Sequence, residues 1–222
     1  MATVADPTCD VVLPCLDEAA ALPWVLSRMP PGFRAVVVDN GSTDGSAAIA
    51  RRHGATVVHA ERRGYGAACH AGLEAATAPL VAVMDADATL DPARLPDLAA
   101  LLRADRADLV VGVRRPVNRR AHPWPLRLAN AELARRVRRR TGFRLTDVGP
   151  MRVARRLPLL DLRVADRRSG YPVETLVRAA DAGWRLATVE VNYLARRGRS
   201  KVTGTPLGIW RAVRDASAVL ER

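Results

Sequence analysis

A chain of 222 residues, 49% of them apolar, can bury one sizeable core and is cramped for two, so a single domain is expected over residues 1–222. No run approaches the roughly 18 uninterrupted apolar residues that span a bilayer, and the opening MATVADPTCD lacks the basic flank and apolar stretch of a secretion signal, so a cytoplasmic protein is expected. The formal charge of +12 is lopsided: residues 1–110 carry 9 Arg against 14 Asp and Glu, while residues 111–222 carry 26 basic against 9 acidic residues, which turns the second half toward an anionic partner or serves solubility.

In chain order, short Val-rich runs alternate with Ala-rich segments. DVVLP (10–14), RAVVVDN (34–40), ATVVHAE (55–61), PLVAVMD (79–85) and ADLVVGV (107–113) read as strands. AAALPWVLSRM (19–29), GSAAIARRH (45–53), YGAACHAGLEAA (65–76) and PARLPDLAALLRA (92–104) read as the helices between them. Strands apolar on both faces and joined by helices predict an α/β fold: a mostly parallel central sheet, helices on both faces, and ligands at the carboxyl ends of the strands. The pattern then changes. RRPVNRRAHPWP is a Pro- and Arg-rich connection, 126–141 a basic helix, TDVGPMRV (146–153) a turn into a short strand, and 172–183 a helix. WRLATVEVNYLARR (184–197) has strand character, RGRSKVTGT (197–205) reads as a basic loop, and GIWRAVRDASAVLER (208–222) as an amphipathic last helix.

Every strand in the first half ends in residues that a plain structural strand does not need: PCLDE, DNGSTDG, ERRGYGAA, DADAT and VRRP. These loops converge on one rim. Asp85 and Asp87 set like charges one residue apart at the tip of an apolar strand, where repulsion and partial burial both cost free energy. Two hard oxygen ligands so placed can share a divalent cation, which removes the repulsion. Mg²⁺ or Mn²⁺ usually completes its shell with water and substrate phosphates, so the implied substrate is a diphosphate.

The neighbours add to this. Asp39 ends the second strand, where a carboxylate can accept hydrogen bonds from a nucleobase, while Asp44 is placed to cap the next helix. Gly64 and Gly66 permit close backbone approach to a ligand, or form a plain entry to the helix. Cys9, Cys15 and Cys69 show no C-x-x-C spacing and read as small buried hydrophobes. His53, His59, His70 and His122 fit no metal-ligand spacing and are expected on the surface or on helix faces. With 34 of the 35 basic residues Arg, the bias reads as a coding preference rather than guanidinium chemistry at every position.

VVLPCLDE, VVVDNGSTDGS, GYGAACHAG, VMDADAT and GRSKVTGT follow one another in the order and spacing of the family-2 glycosyltransferases. The last motif resembles the dolichyl-phosphate and polyprenyl-phosphate sugar synthases within that family. The resemblance implies a GT-A-type nucleotide-sugar-binding fold, with residues 1–115 as the nucleotide-sugar half and 116–222 as a helix-rich acceptor-side half. Residues matching Pro14, Leu16, Glu18 and Asp39 would line the nucleoside pocket, with Gly66 beside it. Those matching Asp85, Ala86 and Asp87 would handle ribose, diphosphate and Mg²⁺ or Mn²⁺. The donor would be a GDP- or UDP-sugar, and the sugar would move with inversion in one displacement.

On the acceptor side, Asp147 and Glu174 match acidic positions near the transfer site, where they would take a proton from a hydroxyl or fix sugar hydroxyls, or else pair structurally with nearby Arg. Arg114, Arg197, Arg199, Ser200 and Lys201 would form an electropositive mouth for acceptor phosphate, or a solvated charge run. Two departures stand out: Asp17 where relatives often carry Asn, and Thr89 where the lipid-phosphate synthases commonly carry Gln. The chain also lacks the transmembrane pair of some synthases, so contact with a lipid acceptor is expected to be peripheral, at the inner face of the membrane. The alternatives are a soluble small-molecule acceptor, or a silent nucleotide-binding protein. Nucleic acid is not expected as a partner, because aromatic residues are scattered through the basic half.

Overall fold

The computed structural model describes residues 6–118, 124–197 and 214–221. Strands β1 (Cys9–Cys15), β2 (Phe33–Asp39), β3 (Thr56–His59), β4 (Leu80–Val83) and β5 (Leu109–Pro116) alternate with helices α1 (Leu22–Ser27), α2 (Ser46–Arg52), α3 (Tyr65–Ala75) and α4 (Leu95–Arg103), the last entered through a 3₁₀ turn at Pro92–Arg94. There follow α5 (Trp124–Thr141), β6 (Met151–Arg155), α6 (Arg156–Asp161), α7 (Tyr171–Asp181) and β7 (Leu186–Tyr193). Residues 214–220 are also helical. The short α6 and the entry of β6 and β7 into the main sheet go beyond what periodicity alone indicates.

All seven strands form one sheet in the order β3-β2-β1-β4-β6-β5-β7. Six run the same way; β6 lies antiparallel between β4 and β5. That reversal has a functional consequence. The carboxyl ends of β1, β2, β4, β5 and β7 face one rim, and β6, running against them, brings its amino end to the same rim. Through the pairs Val12↔Val83, Val83↔Arg152, Arg152↔Val111 and Val111↔Thr188 the strands are level across the sheet. The loops around Glu18, Asp85, Arg114, Asp147 and Arg196 therefore emerge together.

Alternation along each strand splits the core in two. Val11, Leu13 and Val37 face Leu22 and Val25 of α1 and Leu95, Leu98 and Leu102 of α4. Val12, Val36 and Val38 face Ala68 and Leu73 of α3, with Val137 of α5, Leu176 of α7 and Val219 filling the same layer. Each buried Val or Leu contributes about 1.5–3 kcal/mol relative to exposure, which is why both faces of these strands are apolar. Helix α3 packs close against the sheet at Gly72. A Cβ on Gly72 would lie 2.3 Å from Val12 Cγ1 and 2.8 Å from Val38 Cγ2.

One polar residue is built into this core away from the rim. Asp10 in β1 is fully buried. Its carboxylate accepts two hydrogen bonds of 2.8 Å from Arg34 of β2, and the N–H groups of Thr77 and Ala78 at 2.6 and 2.9 Å. Burial alone would push this carboxyl up, but the Arg34 and backbone donors outweigh it and hold it below the usual range. A depressed folded pKa adds stability above the unfolded value, and that stability is lost as pH falls through the folded one. Asp10→Ala is therefore expected to cost about 2–4 kcal/mol in urea unfolding at pH 7. The gap to the parent protein should close as the pH drops below about 4.

Candidate active site

The rim is assembled from the chain's own turn chemistry. Asp17 adopts a left-handed conformation, φ 54°, and its Oδ1 takes the Thr43 N–H at 2.7 Å while its own N–H donates to Ser42 Oγ at 3.0 Å. Glu18 N–H donates to Ser46 Oγ and Ala19 N–H to Asp44 Oδ2, both at 2.9 Å. Asp44 also accepts the Ser46 N–H at 3.0 Å, so it caps the start of α2 from the residue before Gly45. These bonds lock the loops after β1 and β2 into one wall. Pro14 and Leu16 are half-buried on that wall, and Glu18 and Asp39 are buried. Asp39 accepts the Ser42 N–H at 3.0 Å and has His59 Nδ1 3.3 Å away.

Asp85 and Asp87 follow β4, with Ala86 buried between them. Asp85 accepts from the Tyr65 hydroxyl at 3.3 Å. Burial first, then repulsion from Asp87, push its carboxyl well above the usual range, against the opposing pull of Arg114 and Arg196. Ala88 is left-handed, φ 61°, which bends the chain so that Thr89 N–H and Oγ1 both donate to Asp87 Oδ1, at 3.1 and 2.6 Å. The other oxygen, Oδ2, lies 3.1 Å from Arg196 Nη1, and Arg196 Nη2 donates to Glu18. A cation thus already stands between two rim acids. Arg196 escaped the sequence reading; the signal available was its place at the head of the Arg-Arg-Gly-Arg-Ser-Lys run.

The two candidate proton acceptors have other work. Asp147 is buried and receives the Arg114 N–H at 2.8 Å, Arg114 Nε at 2.8 Å and Nη2 at 2.7 Å, and the Gly149 N–H at 3.0 Å. Burial pushes this carboxyl up, but Arg114 outweighs it and holds it low. Arg114 in turn donates to Asn130 of α5 at 2.9 Å and stacks over Tyr193, its Cζ 5.3 Å from the ring centre. Arg114, half-buried, is thereby paired with Asp147. Glu174 on α7 accepts the N–H groups of Ala165 and Asp166 at 3.0 and 2.6 Å and Arg178 Nε at 2.6 Å, and it too is held below its usual range once these donors overcome burial. Every carboxylate oxygen of Asp147 and Glu174 is thus hydrogen-bonded, the arrangement of the structural pairing with Arg that the sequence left open beside a base role.

The glycine pair lies against the chain's own backbone. A Cβ on Gly64 would lie 2.2 Å from the Arg167 carbonyl oxygen, and one on Gly66 2.8 Å from Asp166 O and from Tyr171 Cβ. The Gly66 and Ala67 N–H groups donate to the Arg168 and Arg167 carbonyls. The close approach that these glycines allow is to the chain itself, and the start of α3 offers those donors to no ligand. Arg197 sends its N–H to the Asp87 carbonyl at 3.2 Å and its guanidinium over Trp24, 5.4 Å from the ring centre. Arg199, Ser200 and Lys201 lie outside the described residues.

The donor set suits a hard divalent cation. Two carboxylates from one turn, backed by Tyr65 and Thr89, leave most of a coordination shell to water and phosphate, as Mg²⁺ and Mn²⁺ prefer. Among the described residues no group of three His, Cys, Asp or Glu forms an all-protein cage. The Arg196 guanidinium balances part of the charge on Asp87.

A mostly parallel sheet covered on both faces, with paired carboxylates after β4 and a polar wall after β1 and β2, defines the nucleotide-sugar-binding class of α/β fold known as GT-A. Residues 9–162 match Glycosyl transferase family 2, and the chain belongs to that family; it is a glycosyltransferase. It is 53% identical over 206 residues to an uncharacterized glycosyltransferase of Mycobacterium tuberculosis, covering 92% of this chain and 94% of the relative. It is 33% identical over 196 residues to the dolichyl-phosphate hexose transferase of Haloferax volcanii, covering 86% of this chain and 85% of that one. Among solved structures it resembles glucosyl-3-phosphoglycerate synthase from Mycobacterium tuberculosis in complex with Mn²⁺, UDP and glucosyl-3-phosphoglycerate. The TM-score is 0.73 at 27% identity, over 97% of this chain and 79% of that one.

If Asp147 and Glu174 are structural, Asp147→Asn and Glu174→Gln should each lower the unfolding free energy by about 2–4 kcal/mol, because each leaves a guanidinium without its counter-charge. The acid limb of the pH–rate profile should persist in both. A variant that kept parental stability in urea and lost that limb would restore the base role.

Proposed function

We propose that the protein is a metal-dependent inverting hexosyltransferase that moves a sugar from a UDP- or GDP-sugar to a polyprenyl phosphate. The observation that carries the donor side is the Asp85–Asp87 turn, with a cation already on Asp87 Oδ2. A divalent ion held there supplies Lewis-acid neutralisation of the charge that builds on the departing nucleoside diphosphate. Pro14, Leu16 and Asp39 form the wall for the nucleoside, with Asp39 as the hydrogen-bond acceptor. The binding of Mn²⁺ or Mg²⁺ with UDP by the glucosyl-3-phosphoglycerate synthase structures supports this reading.

The acceptor side is read from the two candidate bases. Among the described residues Asp147 and Glu174 are both saturated and held low, so neither is placed to take a proton from a hydroxyl. An acceptor phosphate is already ionised. Its oxygen can form the new bond to the anomeric carbon as the bond to the diphosphate oxygen breaks, the electron pair leaving with the nucleoside diphosphate, and no base is required. The dolichyl-phosphate and undecaprenyl-phosphate transferases among the relatives support a lipid phosphate.

Among the described residues no helix is long and apolar enough to cross a membrane, and the surface features of α5 support peripheral access to the lipid. Trp124 and Leu128 stand one turn apart on α5, 71% and 61% exposed, on the helix that also carries Asn130 against Arg114. Arg138, Arg139 and Arg140 in its last turn suit an anionic headgroup layer. A second reading, a soluble phosphorylated acceptor, is favoured by the glucosyl-3-phosphoglycerate synthase likeness.

Release of UDP or GDP from a panel of nucleotide sugars with Mn²⁺ tests both. Short-chain polyprenyl phosphate should stimulate release and acquire the sugar, 3-phosphoglycerate should not, and Asp87→Ala should lower turnover by a factor on the order of a thousand. Transfer to 3-phosphoglycerate alone would establish the second reading. Silence with every donor would leave only a nucleotide-binding role.

A further inference from the structure

Arg196 joins two acids that reach the rim from distant parts of the chain. Its Nη2 donates to Glu18, after β1, and its Nη1 lies 3.1 Å from Asp87 Oδ2, after β4. Thr89 occupies Oδ1 of Asp87 through both its N–H and its hydroxyl, so Oδ2 is the oxygen left for a metal, and a guanidinium is already on it. The Arg196 Nε is buried and has no hydrogen-bond partner among the described residues. The side chain as a whole is 25% exposed, so an incoming anion can meet it. A buried donor without a partner is costly in a finished structure and economical in one awaiting a ligand.

We propose that Arg196 is an internal counter-ion that keeps divalent metal off Asp87 until the nucleoside diphosphate arrives, and that it then shifts its hydrogen bonds from Asp87 to diphosphate oxygens. The inference rests on the metal reading of Asp85 and Asp87. A bare divalent ion approaching Asp87 must displace a guanidinium and then stand beside its positive charge, which opposes entry. A diphosphate brings negative charge and acceptors of the right shape for a planar fork of donors, so it removes both penalties together. Metal and nucleotide then each raise the other's affinity by the same factor, as linkage requires. Arg196 is on this view a positioning residue: it governs when Asp87 is free to ligate.

The test is binding rather than turnover. Mn²⁺ uptake by the whole protein is followed by the resonance signal of free Mn²⁺, and UDP binding by calorimetry. The parent protein should bind Mn²⁺ weakly alone and more tightly with UDP. Arg196→Gln should bind Mn²⁺ alone on the order of tenfold more tightly, yet bind UDP in the presence of Mn²⁺ on the order of tenfold more weakly. Arg196→Lys, which keeps the charge, should restore the weak metal-alone binding. Without metal, Arg196→Gln should melt below the parent, and Mn²⁺ should narrow the gap. A residue that merely held the fold would weaken both ligands in parallel.

Unchanged or weaker Mn²⁺ binding by Arg196→Gln without UDP overturns the proposal. Asp87→Ala separates the two levels of failure. If that variant binds Mn²⁺ and UDP like the parent, the metal reading itself falls and the role of Arg196 with it. If it loses metal while Arg196→Gln gains none, only the role of Arg196 is lost.

Discussion

Like charges gathered where a sheet ends must be balanced by something, and the organisation of this rim follows from how each acid finds its cation. Asp147 is matched by Arg114 and Glu174 by Arg178, and both pairs are closed by further backbone donors, so their charge is spent inside the protein. Glu18 and Asp87 share Arg196 between them. Asp85, with a tyrosine hydroxyl and more distant guanidinia, is left raised. The turn after β4 is consequently where negative charge exceeds local compensation. That imbalance, rather than the mere presence of two aspartates, is what the proposed external cation would relieve.

The guanidinium content takes on a different meaning in three dimensions. As a compositional fact the Arg bias reads as coding preference, and for pairs on the outer surface, such as Arg135 with Glu132 or Arg140 with Asp181, that reading is adequate because exposed pairs contribute little. Arg152 is another matter. It is buried and donates to the carbonyls of Val148, Gly149 and Pro172, tying the loop that carries Asp147 to the start of α7. A lysine ammonium cannot present a planar fork to three carbonyls at once. Burial pushes the Arg152 guanidinium down from its ordinary value, against the opposing pull of the nearby Asp147 carboxylate. The loop bearing Asp147 is therefore fixed from beneath by one arginine and from the rim side by another.

Much of this was legible in the sequence, and the boundary is physical. Burial of a strand on both faces leaves a continuous apolar run, so β1, β2 and β4 could be read directly, and with them the polar residues that must follow at Glu18, Asp39, Asp85 and Asp87. Periodicity carries no direction, however. Nothing in MRVAR distinguishes a strand running with its neighbours from β6, which runs against them and delivers Asp147 to the rim. Pairings across long separations were equally hidden: Arg196 meets Glu18 from 178 positions away. Gly64 and Gly66 look like ligand-facing glycines because a glycine reports only that something comes close. That the something is the Arg167 backbone depends on α6 and the loop beyond it.

The saturated carboxylates Asp147 and Glu174 accord with the proposed phosphate acceptor. A hydroxyl acceptor must lose a proton as the new bond forms, and a base held low by a guanidinium and several N–H groups gives little driving force for that transfer. A phosphate monoester arrives with its charge formed, so the requirement passes from proton removal to charge compensation and orientation. On the proposed reading the chain's second half, rich in Arg and with apolar side chains exposed on α5, would supply that compensation and meet a lipid surface. The acids on the acceptor side then serve to hold guanidinia and loops in place. On the proposed reading a negatively charged acceptor meets an anionic donor across a rim where Asp147, Glu174 and Glu18 are each matched by a guanidinium, which limits the repulsion that the protein adds to that between the two substrates.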